Sequence, residues 1–260
     1  MLDRVEQITI EQAKDIVRKY HYSKVFPRIN KYAIGGYLNN ELVAVMLLGF
    51  GTRPMHTIQK IFPTLDTSLY LELGKLCVSD ECPRNTESYF ISKCIQLIKR
   101  EMPHLKVLFS WADGIVGKVG YVYQGSNFAY GGSIVTEMYL DPNGNRVHPR
   151  SMQGISTGER VGKMKSRAYD VTVSMGFQKY FGYQFRYVYP LCSSREWKKL
   201  LATSPYEWTY GNYPKDNDLK WWKQISKGKR IECGKPPFTM TEYVKEQPKK
   251  NTLNLFFDKG

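Results

Sequence analysis

Long apolar runs are missing from this 260-residue chain. A membrane-spanning helix needs about 20 consecutive apolar residues, so no span is expected and membrane partners are excluded. The opening stretch, MLDRVEQITIEQAKD, lacks the basic-then-apolar order of a secretory signal, and the cytoplasm is the expected compartment. Cysteine is sparse and unpaired: Cys77, Cys82, Cys94, Cys192 and Cys233 form no CxxC spacing. That excludes a zinc ribbon and a disulfide framework, leaving the five as small buried hydrophobes. GxSxG, a Walker loop and HExxH are absent too, which argues against a hydrolase, a P-loop NTPase and a zincin.

Acid is the charge in short supply. Lysine and arginine number 38 against 24 aspartates and glutamates, a net charge of +14. Such an excess, interleaved with aromatics, fits double-stranded DNA as partner, although a merely soluble basic surface would look the same. The 42% of apolar residues is enough for a packed core.

Thr9, with Gln12 three residues on, caps a helix through about Lys19. Tyr32–Tyr37 and Glu41–Phe50 read as a hairpin around Asn39-Asn40, and residues 51–68 as a loop. Leu69–Val78 is a strand, and a helix from about Ser88 to Glu101 is capped by Asn85 or Thr86. Lys106–Phe109, Ser133–Leu140 and Phe185–Leu191 are further strands, and Ser194–Ala202 a further helix. Residues 141–180, rich in glycine, serine and basic residues, read as a surface insertion or lid. The order is that of a mixed α/β (α+β) domain over residues 1–232, with a right-handed βαβ unit and a C-terminal tail, 233–260.

The stretch from Ser110 to Gly132, SWADGIVGKVGYVYQGSNFAYGG, directly follows an apolar strand. It holds one acid, Asp113, six glycines and a polar cluster, Gln124, Ser126 and Asn127. It reads as the floor of a site. Asp113 suits a general base or a ligand, and with His21, Tyr22 and Tyr123 it forms an N/O set of a kind iron accepts. Lone histidines and tyrosines are as readily structural. The helix start at Arg84, Asn85, Thr86 and Ser88 offers free N–H groups to a phosphate, or is an ordinary cap. Tyr206, Trp208, Tyr210, Tyr213, Trp221 and Trp222, interleaved with lysines, either stack bases or pack on the core. In the tail, TLNLF resembles the bacterial sliding-clamp-binding pentapeptide. Leu253, Leu255 and Phe256 would seat in the clamp's groove, with Thr252 where that pattern has a Gln-like residue.

These residues together resemble the phage Mom proteins, DNA-modifying relatives of the GNAT acyltransferase fold. The resemblance rests on HYS at 21–23, LGKLCVSDECPRNTESYFISKCI at 73–95, SWAD at 110–113 and GYVYQGSNFAYGG at 120–132. HPRS at 148–151 and RYVY at 186–189 also fit. It implies a GNAT-like mixed sheet flanked by helices, and conversion of adenine in DNA to an N6-carbamoylmethyl (methylcarbamoyl)-type derivative. Protection of phage DNA from restriction in the host cytoplasm follows from the same likeness. It also implies iron or catalytic roles for His21, Tyr22, Asp113 and Tyr123. Lys75 stands where the family is expected to carry arginine, and Ser88 at its helix-start serine. The target base would be flipped among Tyr123, Phe128 and Tyr130 and read by Gln124, Ser126 or Asn127. Arg146, Arg150, Lys163, Lys165 and Arg167 would hold the backbone. The GNAT pyrophosphate loop, Arg/Gln-x-x-Gly-x-Gly/Ala, is replaced by the glycine-free PRNTES, so acetyl-CoA is not the expected donor. The donor's identity, acyl or glycine-derived, stays open. The rival readings are an acyl-CoA-dependent N-acetyltransferase and a non-catalytic DNA-binding protein on a GNAT scaffold.

Overall fold

The computed structural model describes residues 2–21, 26, 30–51, 54–147, 149 and 169–237. Its centre is a ten-stranded sheet in the order β1-β2-β3-β4-β5-β8-β6-β7, with β9 joined to β8 and β10 to β9. The N-terminal strands are β1 (Arg4–Ile8), β2 (Tyr32–Leu38), β3 (Glu41–Gly49) and β4 (Tyr70–Val78), all antiparallel neighbours. Helix α3 (Thr86–Glu101) then crosses over to β5 (Val107–Asp113), parallel to β4. Next come β6 (Ala129–Leu140), β7 (Arg146–Val147), β8 (Gln178–Pro190), β9 (Trp221–Ser226) and β10 (Lys229–Cys233). The other helices are α1 (Ile10–Tyr20), α2 (Pro54–Ile61), α4 (Tyr121–Gln124), α5 (Tyr169–Ser174) and α6 (Ser194–Thr203). This is the expected mixed α/β architecture.

Strand alternation sorts the core onto two faces. Leu71, Leu73, Leu108 and Ala112 join Phe90, Cys94, Ile98 and Tyr123 on the α3–α4 face. Tyr70, Val107 and Phe109 turn the other way, onto Ile58, Phe62 and Trp197 of the α2–α6 side. On that same second face α1 buries Ala13 and Val17 against Ala33, Val45 and Leu47. The Thr9–Gln12 capping box starts α1 as its sequence suggests.

The site is positioned by a parting of strands. Parallel pairing of β4 with β5 covers only Tyr70–Leu73 against Val107–Ser110. Beyond it β4 stays with β3, and β5 runs on with β8 to Asp113, so a wedge opens between them. At the same level the β3–β4 register slips, Leu47 pairing with Lys75 but Leu48 with Leu73, which leaves Gly74 as a bulge residue. Where β5 stops, β9 takes over its edge of β8, through Tyr180–Gly182 against Trp221–Lys223.

Several sequence expectations need correction. Residues 54–61 are helix rather than loop, since Pro54 occupies the first helical position, where a proline's fixed φ is favourable and its missing N–H costs nothing. β1 and the β9–β10 hairpin were not expected. Asn85 precedes α3 in the left-handed region (φ 69°) and makes no side-chain cap bond. The segment after β5 depends on glycine, most plainly at Gly120. Gly120 has φ 92°, and a Cβ there would stand 2.6 Å from the Tyr187 ring and 2.9 Å from the Ala112 Cβ. Gly120→Ala should therefore destabilise the fold by about 2 kcal/mol or more, combining backbone strain and a core clash, read as a lowered urea midpoint.

Candidate active site

The wedge gathers charged groups that its apolar surroundings make costly. Lys75 is 9% exposed and lies 3.2 Å from the Nδ1 of His21, itself buried at the end of α1. Burial pushes the Lys75 ammonium down to about 7, with the Arg146 charge acting in the same direction and Asp113 opposing it. Asp113, the last residue of β5, takes a 2.9 Å bond from Arg146 on its Oδ2. Its Oδ1 is buried and has no hydrogen-bond partner. Strand alternation puts Asp113 on the α1 and α2–α6 face, with Lys75, His21, Glu72 and Trp111. The arrangement is a carboxylate oriented by an arginine, beside an ammonium that can lose its proton near neutrality.

Glu72 was not singled out in the sequence. It sits one residue before the strands part, with its carboxylate against the Cα of Gly51, where any side chain would collide with it. Burial raises it to about 7. In the sequence it is simply the polar member of an alternating strand, and only the neighbouring Lys75 hints at a site.

Tyr123 does not join this cluster. It points to the α3–α4 face, where its ring meets Phe128 and Tyr187, each at 5.2 Å. Its hydroxyl lies 2.8 Å from that of Ser110, which also donates to the Leu73 carbonyl at the point of parting. Burial pushes the phenol up to about 12, so it keeps its proton. Among the described residues no three of His, Cys, Asp and Glu converge as metal ligands. His21 turns Nδ1 to an ammonium and Tyr123 is a neutral phenol on the far face. Of the four residues expected at an iron centre, His21 and Asp113 share a face, Tyr123 does not fit with them, and Tyr22 lies outside the described residues.

The polar loop also divides. The Gln124 amide is committed internally, donating to the Tyr187 hydroxyl at 3.1 Å and the Pro214 carbonyl at 2.9 Å, and accepting from Lys215 at 3.3 Å. It is not free to read a base. Ser126 and Asn127 instead line a groove of about 480 Å³ against Asn85, Ser88 and Ser92 of the α3 start. The Ser126 hydroxyl is buried there without a partner. Ser88 and Thr86 turn their hydroxyls back onto the carbonyls of Asn85 and Pro83, and Arg84 is exposed. Phe128 is fully buried and stacks nothing external. Tyr130 is half-buried, and it lines a second cleft.

Of the C-terminal rings, Trp208 stacks on Phe62 at 5.3 Å, Trp221 bonds to the Ile115 carbonyl, Tyr213 to the Phe128 carbonyl and Tyr210 to Trp197. Packing claims most of them, and Tyr206 stays exposed. Arg150, Lys163, Lys165 and Arg167, and the tail's Leu253, Leu255 and Phe256, lie outside the described residues. No described helix is long and apolar enough to cross a membrane.

A parallel βαβ crossover opening a wedge in an otherwise antiparallel sheet makes this a mixed α/β protein with acid and base at the edge of its wedge. The chain belongs to the Mom protein family, which it matches over residues 3–215. It is 30% identical over 203 residues to the methylcarbamoylase Mom of Escherichia phage Mu, covering 78% of this chain and 83% of that one. Among solved structures it is similar to a Bacillus subtilis acetyltransferase in complex with CoA, at 13% identity over 73% of this chain and 99% of the other, TM-score 0.39. A GNAT-family acetyltransferase from Desulfovibrio desulfuricans aligns at 9% identity over 73% and 99%, TM-score 0.38.

Proposed function

We propose that this protein is a DNA-modifying transferase that places a carbamoylmethyl (methylcarbamoyl)-type group on the N6 of adenine. The observation that carries the reading is the 30% identity to a methylcarbamoylase over 203 residues, beside a family match over residues 3–215 that takes in the wedge and its charged groups. The exocyclic amine of adenine is a poor nucleophile because its lone pair is delocalised into the ring. It needs a base placed to take its proton as the new N–C bond forms and the donor's leaving group departs with the electron pair of the bond that breaks. Asp113 suits that role, because Arg146 holds one oxygen and the other is buried and unengaged. Lys75, depressed to about 7, can relay or accept a proton at neutral pH. The groove of Ser88, Ser126 and Asn127 lies on the opposite face of the sheet. Donor and base would then meet across the wedge, with the donor entering from the α3 side. The net charge of +14 favours a polyanionic acceptor.

Plasmid DNA co-expressed with the protein, digested to nucleosides and analysed by mass spectrometry, should contain a modified adenosine. Unmodified adenine in the presence of soluble protein sinks the proposal. The unpartnered Ser126 hydroxyl in the α3 groove favours a second reading, a transferase using an acyl-CoA donor. Calorimetric titration with acetyl-CoA tests it, and the glycine-free PRNTES turn leads us to expect no heat of binding. Iron content by elemental analysis of the same preparation checks the metal separately.

A further inference from the structure

The second cleft holds about 820 Å³ and is walled by Gly131, Gly132, Tyr206, Trp208, Thr209 and Asn212. It belongs to neither the wedge nor the α3 groove. Directly behind its wall stands Arg186, 4% exposed, donating one N–H to the Gly131 carbonyl. The guanidinium lies 4.0 Å from the centre of the Tyr206 ring and 5.4 Å from that of Trp111. Among the described residues no carboxylate pairs with it; its side chain hydrogen-bonds that of Tyr206, and its Nε is buried with no partner. A buried cation without a counter-charge is expensive, and proteins retain one where an anion completes it. The opening is kept clear by the bulge itself. At Gly131 a side chain would strike Trp208, and at Gly132 (φ 83°) only open space lies above the backbone. Arg186 pairs across the sheet with Trp111, two residues before Asp113 on the same strand face, so the cleft adjoins the site.

We infer that this cleft is a phosphodiester subsite: Tyr206, at its exposed rim, turns off Arg186 to stack on a nucleotide, and the uncovered guanidinium takes a phosphate of the DNA acceptor. The inference rests on the DNA reading above. Phosphate is favoured over a small carboxylate by the size and aromatic rim of the cleft, and by the chain's excess positive charge. Glu207 also lines the cleft and would oppose the anion.

The test is anisotropy of a labelled duplex with the full-length protein across roughly 50–200 mM salt. Arg186→Met should weaken binding about 30-fold or more and make the log–log salt slope shallower by about one, with the melting temperature unchanged or raised. Glu207→Gln should tighten binding, and deoxyadenosine monophosphate should compete where deoxyadenosine does not. If the wild type binds duplex DNA and Arg186→Met retains its affinity and slope, the subsite is overturned and the DNA reading stands. A wild type that binds no DNA removes both. If Arg186→Met fails to fold, the Glu207→Gln and competition results decide: equal competition by nucleoside and nucleotide overturns the inference.

Discussion

Asp113→Asn should lower adenine modification by about 10³-fold while leaving the protein folded. The substitution keeps the shape of the side chain, and an amide oxygen can still accept from Arg146. What disappears is the capacity of Oδ1 to take a proton, in a position where nothing else engages it. The pair with Arg146 is partly exposed, its side chains 23% and 15% accessible, so losing its charge costs about 1 kcal/mol at most. Arg146→Met tests the complementary role. It leaves the carboxylate in place but untethered, and should reduce modification about tenfold to a hundredfold through orientation alone. Modified adenosine per plasmid and the urea midpoint, measured on the same preparations, separate the two effects. Wild-type levels of modification in Asp113→Asn would remove Asp113 from the chemistry and leave Lys75 as the candidate base.

Much of this site was legible before the structure, because strand-end residues follow a readable apolar run. The run LKVLF led to SWAD, and SWAD to Asp113. What alternation could have told, and did not, is that Ser110 and Ala112 share one face while Trp111 and Asp113 share the other. That single parity separates Tyr123 from His21 and takes it out of the expected four-residue metal set. Gln124 looked like a base-reading amide because its partners, Tyr187, Pro214 and Lys215, are 63 to 91 residues away. Arg186 was invisible for the same reason. In RYVY it reads as the outward member of an amphipathic strand, and only the loop carrying Tyr206 buries it. The β9–β10 hairpin escaped because its strands carry tryptophans, lysines and isoleucines with both faces partly exposed, so no clear period survives.

Glu72→Gln should stabilise the protein by about 3 kcal/mol at pH 8 and by almost nothing at pH 4. The folded chain raises this carboxyl from 4.5 to about 7, with burial as the cause. Between those two values the native state holds a proton that the unfolded chain has already lost, so stability falls as pH rises through the window. Above about 7 both states are ionised, and the full cost of a carboxylate enclosed beside Gly51 is in place. A tenfold change in proton affinity between the folded and unfolded chain corresponds to about 1.4 kcal/mol, and glutamine removes the ionisation at nearly constant volume. Urea unfolding of both proteins at pH 4, 6 and 8 gives the difference as a rising curve. A flat difference would mean that Glu72 is solvated, and that its proximity to the parting of β4 and β5 has no electrostatic consequence. A rising curve, with modification activity lost in Glu72→Gln, would instead make this carboxyl a second proton-carrying group at the wedge. With Lys75 it would be a second group buried at a net cost to the fold, and the wedge's instability would be the physical counterpart of its reactivity.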